Sequence, residues 1–307
     1  MDINRTNMDA LFASYNVAFS AGMQMALTAH PEQVQLAELA MAGTSSGAAT
    51  VHGWLNQIGG MREWVGDRVI SNIESGRLSV VNRDFEKTIS VPRNDIEDDN
   101  YGVYTPLISA MGQSSSALWM TLAIDALAAN GTWADDKPFF ATDRAFGENA
   151  LANKVTVALS ADTFKAARIA MESFKLHGDE PAEVVPTTLL VGPALRDTAW
   201  DIVVNDFVVG GATNKAGAIR NPNKGTVQLR VSPRLVGARA NYWFLLGEKG
   251  GIKPVYVQKR KEPVLTRMDR DQDQNVFMSN EYYYGTHARG AAFLTLPHLA
   301  YAGIVEA

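Results

Sequence analysis

At 307 residues, 46% hydrophobic and 20% charged, the chain has the composition of a folded protein with one large core or two smaller ones, which excludes overall disorder. A net charge of −5 gives no whole-molecule attraction for nucleic acid, leaving only a local basic face to grip it. The absence of cysteine excludes disulfides, thiolate catalysis and Cys-ligated zinc.

The first residues, MDINRTNMDALF, lack the basic patch and apolar run of a secretion signal. The most apolar stretch, 117–129, is interrupted by Asp125 and is shorter than the ~18 residues of a membrane span. A soluble chain made in the cytoplasm, with no membrane partner, is expected.

Residues 8–27 place Met8, Leu11, Phe12, Tyr15, Phe19 and Met23 on one helical face. Pro31 opens a second helical piece, 32–41, and 43–50 (GTSSGAAT) has the composition of a flexible linker. The first fifty residues read as an arm. Next, 68–91 reads as two long strands around a turn at Glu74–Arg77, with Val69, Ile73, Leu78, Val80, Phe85, Ile89 and Val91 on the apolar side. The alternation slips across Asn82–Asp84, where a bulge or bend is expected. Two strands are marginal alone in water, so this hairpin is expected to lie on something else, most simply another copy of the chain.

An acidic run (Asp95, Glu97, Asp98, Asp99) reads as a solvated face. Thr105 as cap and Pro106 in the first turn open a helix carrying Leu107, Met111, Leu118, Leu122 and Ala126, which Asn130-Gly131 stops. At 1.5 Å per residue it spans roughly 36 Å, the length of a spine. A strand at 154–159 follows. Ser160 then caps a helix with Phe164, Ala167, Met171 and Phe174 on one face, ended by Gly178. A strand at 187–191 and a helix at 194–204 complete a mixed α/β rhythm. Strands are expected at 226–231, 240–246, 255–259 and 281–296, the last returning toward the spine helix.

Catalytic signals are weak. Gly43-Thr44-Ser45-Ser46-Gly47 matches the nucleophile elbow G-x-S-x-G, but that motif needs a strand before it and a helix after it. His30, His52, His177, His287 and His298 have no metal-site spacing. Asp269, Asp271 and Asp273 open like a calcium loop, yet Gln274 stands where glycine belongs and Asn280 where glutamate belongs. The basic run Lys253, Lys259, Arg260, Lys261, Arg267, Arg270 lacks the interleaved aromatics of a nucleic-acid groove and suits inter-subunit salt bridges better. No catalytic residue, metal or cofactor is called for.

HGWLNQIGGMREWVGDRVISNIE (52–74) and NRDFEKTISVPRNDIEDDNYGVYTPLISAMG (82–112) resemble the major head subunit of Mu-like phages and prophages. DKPFF (136–140), PTTLLVGPAL (186–195) and the block 253–292 agree in order, so the resemblance covers nearly the whole chain. After Phe140 the family tends toward a His-Pro pair, whereas Asp143-Arg144 stand here, and no role is attached to that loop.

The resemblance implies an α+β chain with the HK97-like capsid fold. Residues 1–52 would be the N-terminal arm and 53–99 the extended β-hairpin loop. Residues 100–159 and 269–307 would form the peripheral domain with the spine helix, and 160–268 the axial domain. It implies self-assembly into hexamers and pentamers, an icosahedral head enclosing dsDNA without sequence specificity, and portal, scaffold/protease and decoration proteins as partners. The subunit would be assembled in the host cytoplasm and end in the virion. Trp54, Trp64, Val69, Ile73, Phe85 and Ile89 are the expected buried anchors between subunits, and Arg62, Glu63, Asp67 and Arg68 the expected pairs that reject wrong registers. The alternative for the tryptophans is the subunit's own core. Lys87 lies in the loop, with nothing to mark it as activated for a crosslink. Two other classes compete: an encapsulin-like compartment holding a cargo protein, and a hydrolase using Ser45.

Overall fold

The computed structural model describes residues 5–25, 35–47, 49–55, 75–97, 103–146, 149–176, 180–209 and 218–305. Helix α1 (Arg5–Met25) is followed by a single turn, α2 (Leu36–Leu39), and strand β1 (Ala40–Thr44). Strands β2 (Ala49–Leu55), β3 (Ser75–Val81) and β4 (Arg83–Pro92) lead through α3 (Arg93–Glu97) into α4 (Tyr104–Ser116) and α5 (Leu118–Ala129). Then come β5 (Arg144–Phe146), β6 (Asn149–Leu151), β7 (Lys154–Val155), α6 (Ala161–Glu172), β8 (Val185–Val191) and α7 (Arg196–Val203). The chain closes with β9 (Phe207–Val209), β10 (Ala218–Arg220), β11 (Gln228–Val231), β12 (Trp243–Glu248), β13 (Val255–Met268), α8 (Gln274–Ser279), β14 (Glu281–Leu294) and β15 (Ala300–Gly303).

Two sheets organise the body. The first has the order β11-β8-β12-β15-β7. Its central strands read as continuous apolar runs because both faces are covered: Leu189, Leu190, Val191 and Trp243 through Leu246 are all buried. Helix α6 starts where the sequence places it. Ser160 Oγ accepts the Thr163 N–H at 3.2 Å, Thr163 Oγ1 accepts the Ser160 N–H at 2.8 Å, and Phe164, Ala167 and Met171 turn inward. It ends at Glu172, well before the expected stop at Gly178. The expected strand 154–159 is reduced to β7. β15, in the 269–307 stretch expected beside the spine helix, pairs instead with β12 and β7 in this sheet.

The second sheet has the order β1-β13-β14-β4. Strands β13 and β14, 14 residues each, form its long axis, with register shifts between Lys259 and Val264. The spine lies against it. Its start differs from expectation: α4 begins at Tyr104, so Thr105 is inside the helix and makes no cap. Ala117, at ψ −12, separates α4 from α5, although the Ala117 N–H still reaches the Gln113 carbonyl and the Thr121 N–H the Ala117 carbonyl. Ser115 and Thr121 both back-bond to carbonyls four residues earlier, which bends helices. Asn130, at φ 47, ends the spine in the left-handed conformation that asparagine tolerates.

The N-terminal segment packs more closely than an arm. Phe12, Tyr15 and Phe19 of α1 are buried against Ile108 and Met111 of α4 and Tyr282 and Tyr284 of β14. The approach is tight: a Cβ on Gly112 would land on the Phe19 carbonyl, and one on Gly22 on the Ser109 carbonyl. Residues 32–41 are not one helix, since β1 begins at Ala40 and runs parallel to β13. Glu38 then clamps this segment to the first sheet, its carboxylate accepting from Arg230 Nε and NH2 at 2.7–2.9 Å. Burial works to raise the Glu38 carboxyl, but the hydrogen bonds from Arg230 and the Gln35 N–H outweigh it and hold the group below the usual carboxylate range.

Candidate assembly surface

The loop forms differently from the expected 68–91 hairpin. β3 pairs antiparallel with β2, from Ala49↔Val81 to Leu55↔Ser75, and Ser75–Arg77, expected as the turn, lie within β3. β4 turns away at Asn82 and pairs with β14. The bend expected across Asn82–Asp84 is thus the point at which the chain changes sheets. What leaves the body is the β2–β3 ribbon, which forms its own two-stranded sheet and whose far end leads into residues 56–74. Residues 43–47 and 49–50, expected as part of a linker, form the root of that ribbon.

Buried polar groups tie this root together. The Asn82 amide donates to Ser45 Oγ at 3.0 Å and to the Gly47 carbonyl at 2.8 Å, and its oxygen accepts from Gln258 Nε2 of β13 at 2.8 Å. Ser45 Oγ also meets Thr50 Oγ1 at 2.8 Å, and Arg260 donates to the Ser45 carbonyl at 3.0 Å. An apolar pad of Val80, Ala291 and Phe293, flanked by Leu78 and Tyr256, seats β3 on the second sheet. Between β3, α5 and β14 runs a groove of about 450 Å³ lined by Leu78, Val80, Leu122, Ala126 and Phe293, with Arg83 and Asp125 among its polar groups.

Of the expected contact residues, Arg62, Glu63, Trp64, Asp67, Arg68, Val69 and Ile73 lie outside the described residues. Trp54 is placed by its backbone in β2, opposite Gly76. Phe85 and Ile89 are half-buried on β4, Phe85 against the main core and Ile89 against the cluster beneath α1, so both pack within their own chain. Sequence reasoning missed the exposed pair Phe277 and Met278 on α8, 83% and 72% accessible beyond the ends of the long strands. Their signal is slight: in QNVFMS only Val276 and Asn275 turn inward.

Among the described residues the chemical candidates have structural roles; His30 and His177 lie outside them. Ser45 sits at a strand end with no helix after it, and its hydroxyl belongs to the Asn82 network. The three aspartates of the supposed calcium loop diverge: Asp271 pairs with Arg93 at 3.2 Å, Asp273 accepts the Arg270 N–H at 3.0 Å, and Asp269 is buried near Arg267. Among the described residues no cluster of three or more His, Cys, Asp or Glu could hold a metal. His298 is buried and meets the Lys175 carbonyl at 3.2 Å, and burial pulls its pKa down to about 4. The basic run has partners within the chain: Lys253 reaches the Ala37 carbonyl, Lys259 pairs with Glu262 at 2.8 Å and lies over the Trp119 ring, and Lys261 meets His287.

The loop left without a role is held by Arg144, fully buried. It pairs with Asp135, donates to the Pro138 and Phe139 carbonyls and lies over the Trp133 ring. Asn153, equally buried, donates to the Phe139, Pro297 and Ala300 carbonyls, joining that loop to β15.

A two-sheet body with a long bent helix and a projecting ribbon now has its relatives. The family model described as "Mu-like prophage major head subunit gpT" matches residues 8–158, 145–235 and 221–305. The chain belongs to the Mu-like major head subunit family. It is 26% identical over 295 residues to the Mu-like prophage FluMu major head subunit of Haemophilus influenzae, covering 94% of this chain and 71% of that protein. It is 25% identical over 292 residues to the major capsid protein of Escherichia phage Mu, covering 95% and 72%. Among solved structures, a chain of the bacteriophage JBD30 procapsid matches 98% of this chain and 75% of its own length at 25% identity, with a TM-score of 0.55. A capsid chain of the native GTA particle matches 89% and 93% with a TM-score of 0.57, and at 10% identity it shows the fold alone. This major head subunit has the HK97-like α+β capsid fold and is a structural component of the phage virion. Its relatives are capsid proteins, not enzymes, which sets aside the hydrolase reading of Ser45. Among the described residues no helix is long and apolar enough to cross a membrane.

Proposed function

We propose that this head subunit assembles with copies of itself into hexameric and pentameric capsomers that close an icosahedral shell around dsDNA. The ribbon reaches a neighbouring subunit and lies on its spine helix and second sheet. Residues 56–74, with Arg62, Glu63, Trp64, Asp67, Arg68, Val69 and Ile73, supply the contact, joined by Trp54 at the far end of β2. The observation that carries this is the ribbon itself. Among the described residues β2 and β3 have only each other as sheet partners, and a two-stranded ribbon is marginal in water without a surface to lie on. Heterologous contacts of this kind close into rings when the rotation permits. The net charge of −5 fits DNA that is enclosed rather than gripped. Portal, scaffold/protease and decoration proteins complete the proposed set of partners, and assembly takes place in the host cytoplasm.

The register Leu55↔Ser75 makes the test clean, because residues 56–74 can be replaced by Asn-Gly, a two-residue hairpin turn, without touching β4. The variant is expected to stay folded by circular dichroism and to form no closed shells under the electron microscope. Closed shells of normal size from that variant overturn the proposal. Nuclease-resistant DNA inside purified particles from infected or induced cells is expected, whereas particles holding only a cargo protein support a compartment shell instead.

A further inference from the structure

We infer that Asn82 is a positioning residue for assembly: its buried amide fixes the angle at which the β2–β3 ribbon leaves the body. This deepens the assembly role proposed for the ribbon and rests on it. Asn82 alone separates β3 from β4, so it is the one position where the returning chain passes from the ribbon into the body sheet. The outgoing chain passes the same point, since Ser45, Gly47 and Thr50 bracket the start of β2. One side chain therefore holds both limbs of the ribbon to each other, and Gln258 holds that side chain to β13.

The chemistry suits this role. Both amide donors have acceptors and the amide oxygen has a donor, so the group is satisfied in a single orientation. Asn82, Ser45 and Gln258 are 5%, 6% and 1% exposed, so water does not compete for these bonds. Aspartate would turn an oxygen toward the Gly47 carbonyl, and leucine would leave Gln258 and Gly47 without their partner. The pad of Val80, Ala291 and Phe293 holds the root down but not in direction, because apolar contact is non-directional. The leverage is large: seven residues of β3 reach about 23 Å at ~3.3 Å each, so a swing of about 10° moves the far end by about 4 Å. Well-packed interfaces have the complementarity of protein interiors and do not absorb such a displacement.

The chain contains no cysteine, so spin labels can be placed at Ser75→Cys, at the far end of β3, and Lys165→Cys, exposed on α6. Inter-label distances would be measured by pulsed electron paramagnetic resonance in subunits diluted with excess unlabelled protein. A narrow distribution is expected with Asn82 present, and one at least twofold broader with Asn82→Ala. Gln258→Leu keeps both limbs of the ribbon and removes the body's donor to Asn82; it is expected to broaden the distribution as well, and it decides the matter if Asn82→Ala fails to fold. Shells from either variant are expected to be irregular in diameter or absent. An unchanged distribution overturns the inference whatever the shells do. A broadened distribution with shells of normal diameter and yield overturns the link to assembly. The distances report on the subunit itself, so failure here is distinguishable from failure of the ribbon's assembly role, which the residue 56–74 replacement reads.

Discussion

The five-stranded sheet and the ribbon root are built from opposite materials. In the sheet, Leu189–Val191 and Trp243–Leu246 lose nearly all contact with water, and the layer is held by apolar area and close packing. At the root a few side-chain hydrogen bonds around Asn82 and a three-residue pad connect a projecting ribbon to the body. Apolar burial resists unfolding but is indifferent to direction. Hydrogen bonds between buried groups contribute less net energy and fix an angle. The molecule thus separates what keeps the subunit folded from what orients its ribbon, the part proposed to reach another subunit.

The largest expected effect breaks the first region. Phe244→Ala removes a fully buried ring that packs 5.8 Å from Phe140, and should cost about 3–5 kcal/mol in urea unfolding of the isolated subunit. If it costs as little as a surface change, the sheet is not the stable body.

Acid should weaken the same region. His298 is held neutral, with a pKa near 4 against about 6.5 in the unfolded chain, so the unfolded state binds more protons between those values. Its contribution is complete above pH 6.5 and lost as pH falls toward 4, on the order of 3 kcal/mol in all. His298→Gln should flatten this part of the stability–pH curve relative to the parent; parallel curves would contradict the burial.

Gly112→Ala tests how firmly α1 belongs to the body. Alanine in a free helix interior stabilises by up to ~1 kcal/mol. Here its methyl meets the Phe19 carbonyl, so the sign should reverse to a loss of about 1–3 kcal/mol with faster proteolysis near α1. A stabilised variant would mean that α1 does not dock on α4. The smallest effect is local: Ser160→Ala removes the α6 cap and should cost about 1 kcal/mol while leaving shell formation unchanged.

Much of the body is legible in the sequence because its signals are local. Ser160 and the Phe164–Met171 spacing mark α6, Asn130 stops the spine, and the apolar runs at 187–191 and 243–246 sit in the two central strands. Strand partners are not local. The alternation through 75–91 is equally compatible with a hairpin inside 68–91 and with the observed split, in which β3 joins β2 and β4 joins β14, because period-two patterning names a face and not a neighbour. The small residues of 43–50 read as a linker, and only their position beside Asn82 and Gln258 gives Ser45 its role. Arg144 is opaque for a different reason. Its carbonyl partners and Asp135 lie within ten residues, but nothing in the local pattern announces that a guanidinium will be buried.

In the proposed assembly the body is complete in itself and the ribbon is completed by a neighbour. A cryo-electron microscopy map of the assembled particle tests this most directly by tracing residues 49–81 in one subunit. The predicted result is a ribbon whose far end rests on the spine helix and second sheet of an adjacent subunit. A ribbon folded back onto its own subunit, with no contact to another, would contradict it.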